Sequence, residues 1–153
     1  MPGVEQAEQL RETREREHPD CLFCNAAENL GLKLRWFEDG GGEISVEFCC
    51  DRCFQSYPGV VHGGLVSLLF DGLMTNRLFA EGVAAVTGEL KVRYLGPVPI
   101  DRGLRMTARI VKRRAPLYVV EADLKHGDEV LVRATGKFME KPVAGGTERH
   151  FHR

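Results

Sequence analysis

From Val83 to Phe138 the chain alternates apolar and polar residues with a period of two. The alternation falls into four blocks, Val83–Tyr94, Leu104–Arg113, Leu117–Leu124 and Val130–Phe138. Gly96-Pro97, Asp101-Arg102-Gly103, Ala115-Pro116 and His126-Gly127-Asp128 separate or flank them. This pattern predicts strands with one buried face, joined by turns. An earlier pair, Leu32–Phe37 and Glu43–Phe48, flanks the glycine-rich turn 38–42 and predicts a hairpin. Between the two groups, Leu65–Ala80 bears charge only at Asp71 and Arg77, with Glu81 just past its end. It is too long for a strand and apolar almost all round, which predicts a buried helix. Residues 4–17 are charged helix formers with opposite-charge pairs at i,i+4, Arg11 with Glu15 and Glu12 with Arg16. Their only large apolar residues are Val4 and Leu10, so a surface or frayed helix is expected, stopped at His18-Pro19-Asp20. The stretch after Met139, with Gly145-Gly146, reads as a loose tail.

These elements divide the chain into a charged N-terminal helix (1–20), a main domain (21–140) and a tail (141–153). One long central helix wrapped by a curved antiparallel sheet of about six strands satisfies the order, an α+β architecture with an extra N-terminal helix. A single sheet around a single helix leaves an outer face and edge strands to cover, which predicts a homodimer or homotetramer. Composition narrows the class. With 153 residues, 43% hydrophobic and 28% charged, the chain is one globular domain rather than a disordered segment. A net charge of −1, from 21 basic and 22 acidic residues, gives no overall attraction to nucleic acid or to an anionic membrane. No apolar run reaches the roughly 18 residues of a membrane span, and residues 1–20 are charged where a signal peptide needs an apolar stretch. A cytoplasmic location is therefore expected.

Two features carry chemistry. His62-Gly63-Gly64 leads into the buried helix, whose first amides have no intrahelical acceptor and carry the positive end of the dipole. Glycine there lets a ligand carbonyl approach the backbone, and an amide so placed suits an oxygen developing negative charge. The same glycines would also serve tight helix–sheet packing alone. The second feature is Asp71, a carboxylate on an apolar rod, in a polar stripe with Ser67 and Thr75 at i, i+4, i+8 spacing. A buried carboxylate is costly unless paired or working. Asp71 could be satisfied structurally, by a loop amide or by Arg77 of a neighbouring chain, or it could activate water with Thr75 holding it.

His62-Gly63-Gly64 with a carboxylate nine residues after the histidine resembles the hot-dog fold acyl-CoA thioesterases, specifically their PaaI-like branch. The flanks agree: FQSYPGVVHGG from Phe54 to Gly64, LLFD ending at Asp71, AVTGELKVRY from Ala85 to Tyr94, and PVP from Pro97 to Pro99. CLFCN from Cys21 to Asn25, with Gly31-Leu32, is similar to a subset of that family, and the similarity runs from about Cys21 to Met139. The resemblance implies a hot-dog fold and hydrolysis of an acyl-CoA without a cofactor. In it the Gly63 amide would polarise the thioester carbonyl. Asp71, at a subunit interface, would be general base or nucleophile. Thr75 matches a hydroxyl that assists the carboxylate, and Thr87 a strand hydroxyl near the water. His62, more structural than catalytic, and Gly64 would border the substrate. Ser56 stands where several relatives carry a longer polar amide side chain. A non-catalytic hot-dog module binding acyl-CoA or a protein partner is the alternative. The dehydratase branch fits less well, since its Asp-His pair is missing from the motif.

Charge and cysteine spacing add two expectations. Within residues 91–114, Lys91, Arg93, Arg102, Arg105, Arg109, Lys112, Arg113 and Arg114 face only Asp101. Some of these cations, Arg113 and Arg114 among them, could meet the phosphates of coenzyme A, while others are simply solvated strand positions. The five cysteines argue against a disulfide framework. Cys21-x-x-Cys24 and Cys50-x-x-Cys53 have the ligand count of a structural zinc site, brought together if the ends of the hairpin approach each other. Unliganded buried thiols are the competing reading, and a Cys53–His62 nucleophile is the weakest of the three.

Overall fold

The computed structural model describes residues 2–142, so most of the tail expected over 141–153 lies outside the described residues. In chain order the elements are α1 (Pro2–Glu17), α2 (Ala26–Asn29), β1 (Arg35–Asp39), β2 (Glu43–Phe48), a 3-10 turn (Arg52–Phe54), α3 (Gly63–Phe79), β3 (Ala85–Tyr94), β4 (Leu104–Arg114), β5 (Leu117–His126) and β6 (Glu129–Glu140). The strands form one six-stranded sheet in the order β1-β2-β4-β5-β6-β3, and each neighbouring pair is antiparallel. The sheet curves around α3, which packs against β2, β3, β4, β5 and β6. This is the α+β arrangement that the hydropathy pattern predicts, with β1 and β3 at the edges.

The core is where the two periodicities meet. From α3, Val66, Leu69, Phe70, Leu73, Met74 and Leu78 are buried against Tyr118, Val120, Ala122 and Leu124 of β5 and Val132, Ala134 and Phe138 of β6. Each large apolar side chain buried this way contributes about 1.5–3 kcal/mol. Phe23 enters the same core face-on to the helix. A Cβ added to Gly72 would lie 2.1 Å from the Phe23 ring, so glycine is what lets the incoming segment touch α3.

Two differences from the expected pattern have clear physical causes. The N-terminal helix is docked rather than frayed. Leu10 packs on Phe79 and Ala80, Thr13 is fully buried, and Arg14 Nε donates to Asn76 Oδ1 at 2.8 Å while its guanidinium stacks over Trp36. That contact uses one leucine, one threonine and an arginine stem, a face too narrow and too polar to register as apolar periodicity. The strand β3 is also not a single alternation, because its pairing with β6 slips between Thr87 and Glu89. One extra residue there re-aims the strand. Ala85 and Thr87 oppose Glu140 and Phe138, while Leu90, Val92 and Tyr94 oppose Gly136, Ala134 and Val132.

Candidate active site

The start of α3 is built by its own cap. His62 has extended backbone (φ −56°, ψ 127°), and its Nδ1 accepts the Gly64 N–H at 2.9 Å. The helix therefore begins at Gly63, two residues before the apolar run. Capping occupies the Gly64 amide and leaves the Gly63 N–H without an acceptor among the described residues. His62 is exposed and used as a cap, with Nδ1 engaged, and it lines an open cleft together with Cys53.

Around Gly63 lies an open cleft of about 300 Å³, lined by Ser56, Val60, Val61, Gly63 and the segment Tyr94–Val98. Ser56 and Gly63 are thus brought to one cavity. Tyr94 is the residue that sequence reasoning missed. Its hydroxyl donates to the Gly63 carbonyl at 2.5 Å and lies 2.9 Å from Ser67 Oγ, closing the first turn of α3 onto the end of β3. The change of parity after Thr87 puts Tyr94 on the helix side, and simple alternation could not have shown it.

Asp71 lies two turns further along the same helix, half-buried, with Thr87 Oγ1 donating to its Oδ1 at 2.5 Å. The hydroxyl that meets the carboxylate comes from β3. Thr75, one turn beyond Asp71, is buried. Arg77 does not serve Asp71 within the chain: it is 1% exposed, donates to the Gly42 carbonyl, and pairs with Glu81 at 2.6 Å. A cap amide and a polarised carboxylate on one helix are the two parts an acyl-transfer site needs.

Comparison with known proteins shows what the chain is similar to. A family model described as Thioesterase superfamily matches residues 58–133, the span that holds Gly63, Asp71 and Thr87. The chain is similar to the thioesterase superfamily over that span. Its fold is the hot-dog fold. It is 28% identical over 100 residues to acyl-coenzyme A thioesterase 13 of Homo sapiens, covering 64% of this chain and 67% of that protein. The E. coli PaaI protein of the phenylacetic acid degradation operon has the same fold, with a TM-score of 0.73 at 16% identity, over 88% of this chain and 95% of that one. A hypothetical thioesterase of Streptococcus pneumoniae, solved with coenzyme A, matches with a TM-score of 0.67 at 19% identity, over 71% of this chain and 86% of that chain.

The remaining expected residues divide clearly. The basic stretch is less available than its sequence suggests. Arg105 pairs with Asp39 and Glu47 at 2.7 and 2.9 Å, Arg109 lies within 3.5–3.9 Å of Glu43, Glu121 and Asp123, and Arg113 pairs with Glu81 at 2.5 Å. The acids that neutralise them sit on neighbouring strands or at the end of α3, far away in sequence. Arg114 is exposed and has no ion-pair partner among the described residues. The four-cysteine set is not assembled either. Cys21 and Cys24 pack beside His18, whereas Cys50 is buried behind β2, its carbonyl accepting the Asp101 N–H, and Cys53 is exposed. Burial pushes the Cys50 thiol up to about 12. The segment that carries Cys21 turns onto α3 instead of following the hairpin, so the two pairs never approach.

Proposed function

We propose that this protein hydrolyses acyl-CoA thioesters. Asp71 takes a proton from water as the water oxygen bonds to the thioester carbon. The carbonyl electrons move to oxygen, which the Gly63 N–H holds. Collapse then breaks the C–S bond, and the thiolate leaves and is protonated, giving a carboxylic acid and coenzyme A. Thr87 orients the carboxylate from across the sheet.

The observation that carries this reading is the pairing of Asp71 with Thr87, on the helix whose first amide lacks an acceptor. The resemblance to acyl-coenzyme A thioesterase 13 and the coenzyme A in the Streptococcus pneumoniae structure support the substrate class. Arg114 and its unpaired basic neighbours are the candidates for the phosphates. A dimer completes the site. Eight residues of helix separate Gly63 from Asp71, about 12 Å of rise, against the roughly 3 Å at which a water attacks its carbonyl. Gly63 of one copy facing Asp71 of another removes that mismatch.

The test is Asp71→Asn, which keeps the side chain's size and removes the base. Hydrolysis across a panel of acyl-CoAs should fall about 10²–10⁴-fold, with the thermal midpoint unchanged. Undiminished turnover by the Asn variant would overturn the mechanism. No turnover of any acyl-CoA by the wild-type chain, with binding retained, would favour the non-catalytic module.

A further inference from the structure

Where the chain leaves α1 it places three metal-type donors together. The ring nitrogens of His18 and the sulfurs of Cys21 and Cys24 offer one donor atom each, all within 4.8 Å of one another and half-buried. Cys24 Sγ lies 3.8 Å from His18 Nδ1. With Zn–S bonds of about 2.3 Å and Zn–N bonds of about 2.0–2.1 Å, the donor–donor edges of a tetrahedral site come to about 3.5–3.8 Å. The cluster is therefore within about an ångström of closing on a single ion. We propose that His18, Cys21 and Cys24 form a site for a zinc-class divalent cation, which fastens the end of α1 to the C-terminal half of α3.

The surroundings offer the sulfurs an amide donor and a nearby cation. Asn76, from α3, is held by its Nδ2 bond to the Gly72 carbonyl at 2.8 Å and places the same nitrogen 3.5 Å from Cys24 Sγ. Its Oδ1 accepts from Arg14. Arg14 has a buried nitrogen, Nη2, with no hydrogen-bond partner among the described residues, and burial disfavours its charged guanidinium. Two metal-bound sulfurs supply the negative charge that this buried cation lacks. Binding a divalent cation forms two metal–sulfur bonds and one metal–nitrogen bond and releases two protons, one from each thiol. The product carries no net charge, and a water takes the fourth position. Imidazole with thiolates selects zinc over the oxygen-loving calcium and magnesium. The site differs from the four-cysteine arrangement, and it does not depend on the proposed hydrolysis.

The test uses the intact, reduced chain, stripped with a chelator and titrated with zinc against a chromogenic competitor. One zinc per chain is expected. Cobalt in its place should give thiolate-to-metal charge-transfer absorption. His18→Gln, Cys21→Ser and Cys24→Ser should each weaken zinc binding about a hundredfold or more, and Asn76→Ala about 10–100-fold. Cys50→Ser and Cys53→Ser should leave it unchanged, and zinc should raise the thermal midpoint of the wild type. Folded wild-type chain that takes up no stoichiometric zinc overturns the proposal without recourse to any variant. So does a Cys21–Cys24 disulfide found by mass in its place, or loss of zinc in Cys50→Ser as complete as in Cys24→Ser.

Discussion

At the scale of single residues, the decisive contact joins positions sixteen apart in sequence, Thr87 and Asp71. Asp71 was legible on its own, because an isolated carboxylate on an apolar helix needs a reason. Its partner was legible only through the family resemblance, since the spacing along α3 pointed to Thr75. What selects Thr87 is the register slip after it, a feature of strand pairing that no local pattern encodes. The bond is short and charge-assisted, and it fixes which way the carboxylate faces. Thr87→Val keeps the β-branched shape and deletes the donor. We expect kcat to drop about 10–100-fold, with KM nearly constant and the fold intact, because the base is present but unheld. Steady-state kinetics beside a melting curve measure this. An unchanged kcat would assign Thr87 a packing role only.

At the scale of elements, the helix itself was legible over almost its full length, but its far end was not. Arg77 reads in sequence as a charge interrupting an apolar run. In the fold it is sealed under the β1–β2 turn, where Gly42 is left-handed (φ +80°) and a Cβ would sit 3.2 Å from the guanidinium. Glu81 completes the arrangement by pairing with Arg77 and with Arg113 of β4, so one carboxylate ties the end of α3 to β4. The hydrogen bond from Arg113 and that from Arg77, opposed by burial, hold the Glu81 carboxyl below its ordinary value. A lowered folded value means stability that is present above the unfolded value and is lost as pH falls through the folded one. Glu81→Gln should therefore cost about 1–3 kcal/mol at neutral pH. It should also flatten the loss of stability on acidification below about pH 5. Urea melts of both proteins across that range measure it, and parallel pH profiles would remove Glu81 from the acid response.

At the scale of the whole molecule, the proposed mechanism needs a second chain. The edge strand β3 carries Thr87 on its helix side and exposes Val86 (43%) and Tyr94 (47%), with Leu95 (50%) just past its end. An open strand with apolar side chains beside the proposed catalytic groups is a surface that invites a second copy. Counting one helix against one sheet leads to the same expectation. Which groups combine across the boundary does not follow from that count, since it depends on the 12 Å or so of helix between Gly63 and Asp71. Two inactive variants separate the arrangements. Gly63→Pro removes the amide hydrogen at the first helical position, where proline is tolerated, and the extended His62 before it already has the backbone that proline demands. Asp71→Asn removes the base. Each alone should lose about 10²-fold or more in turnover. Co-expressed and purified as a mixed dimer, they leave one boundary with both intact groups only if Gly63 and Asp71 come from different chains. Recovery of about half the wild-type activity in the mixed dimer is the expected outcome. A mixed dimer as inactive as its parents would place both groups in one chain, and a monomer by sedimentation at micromolar concentration would remove the shared site altogether.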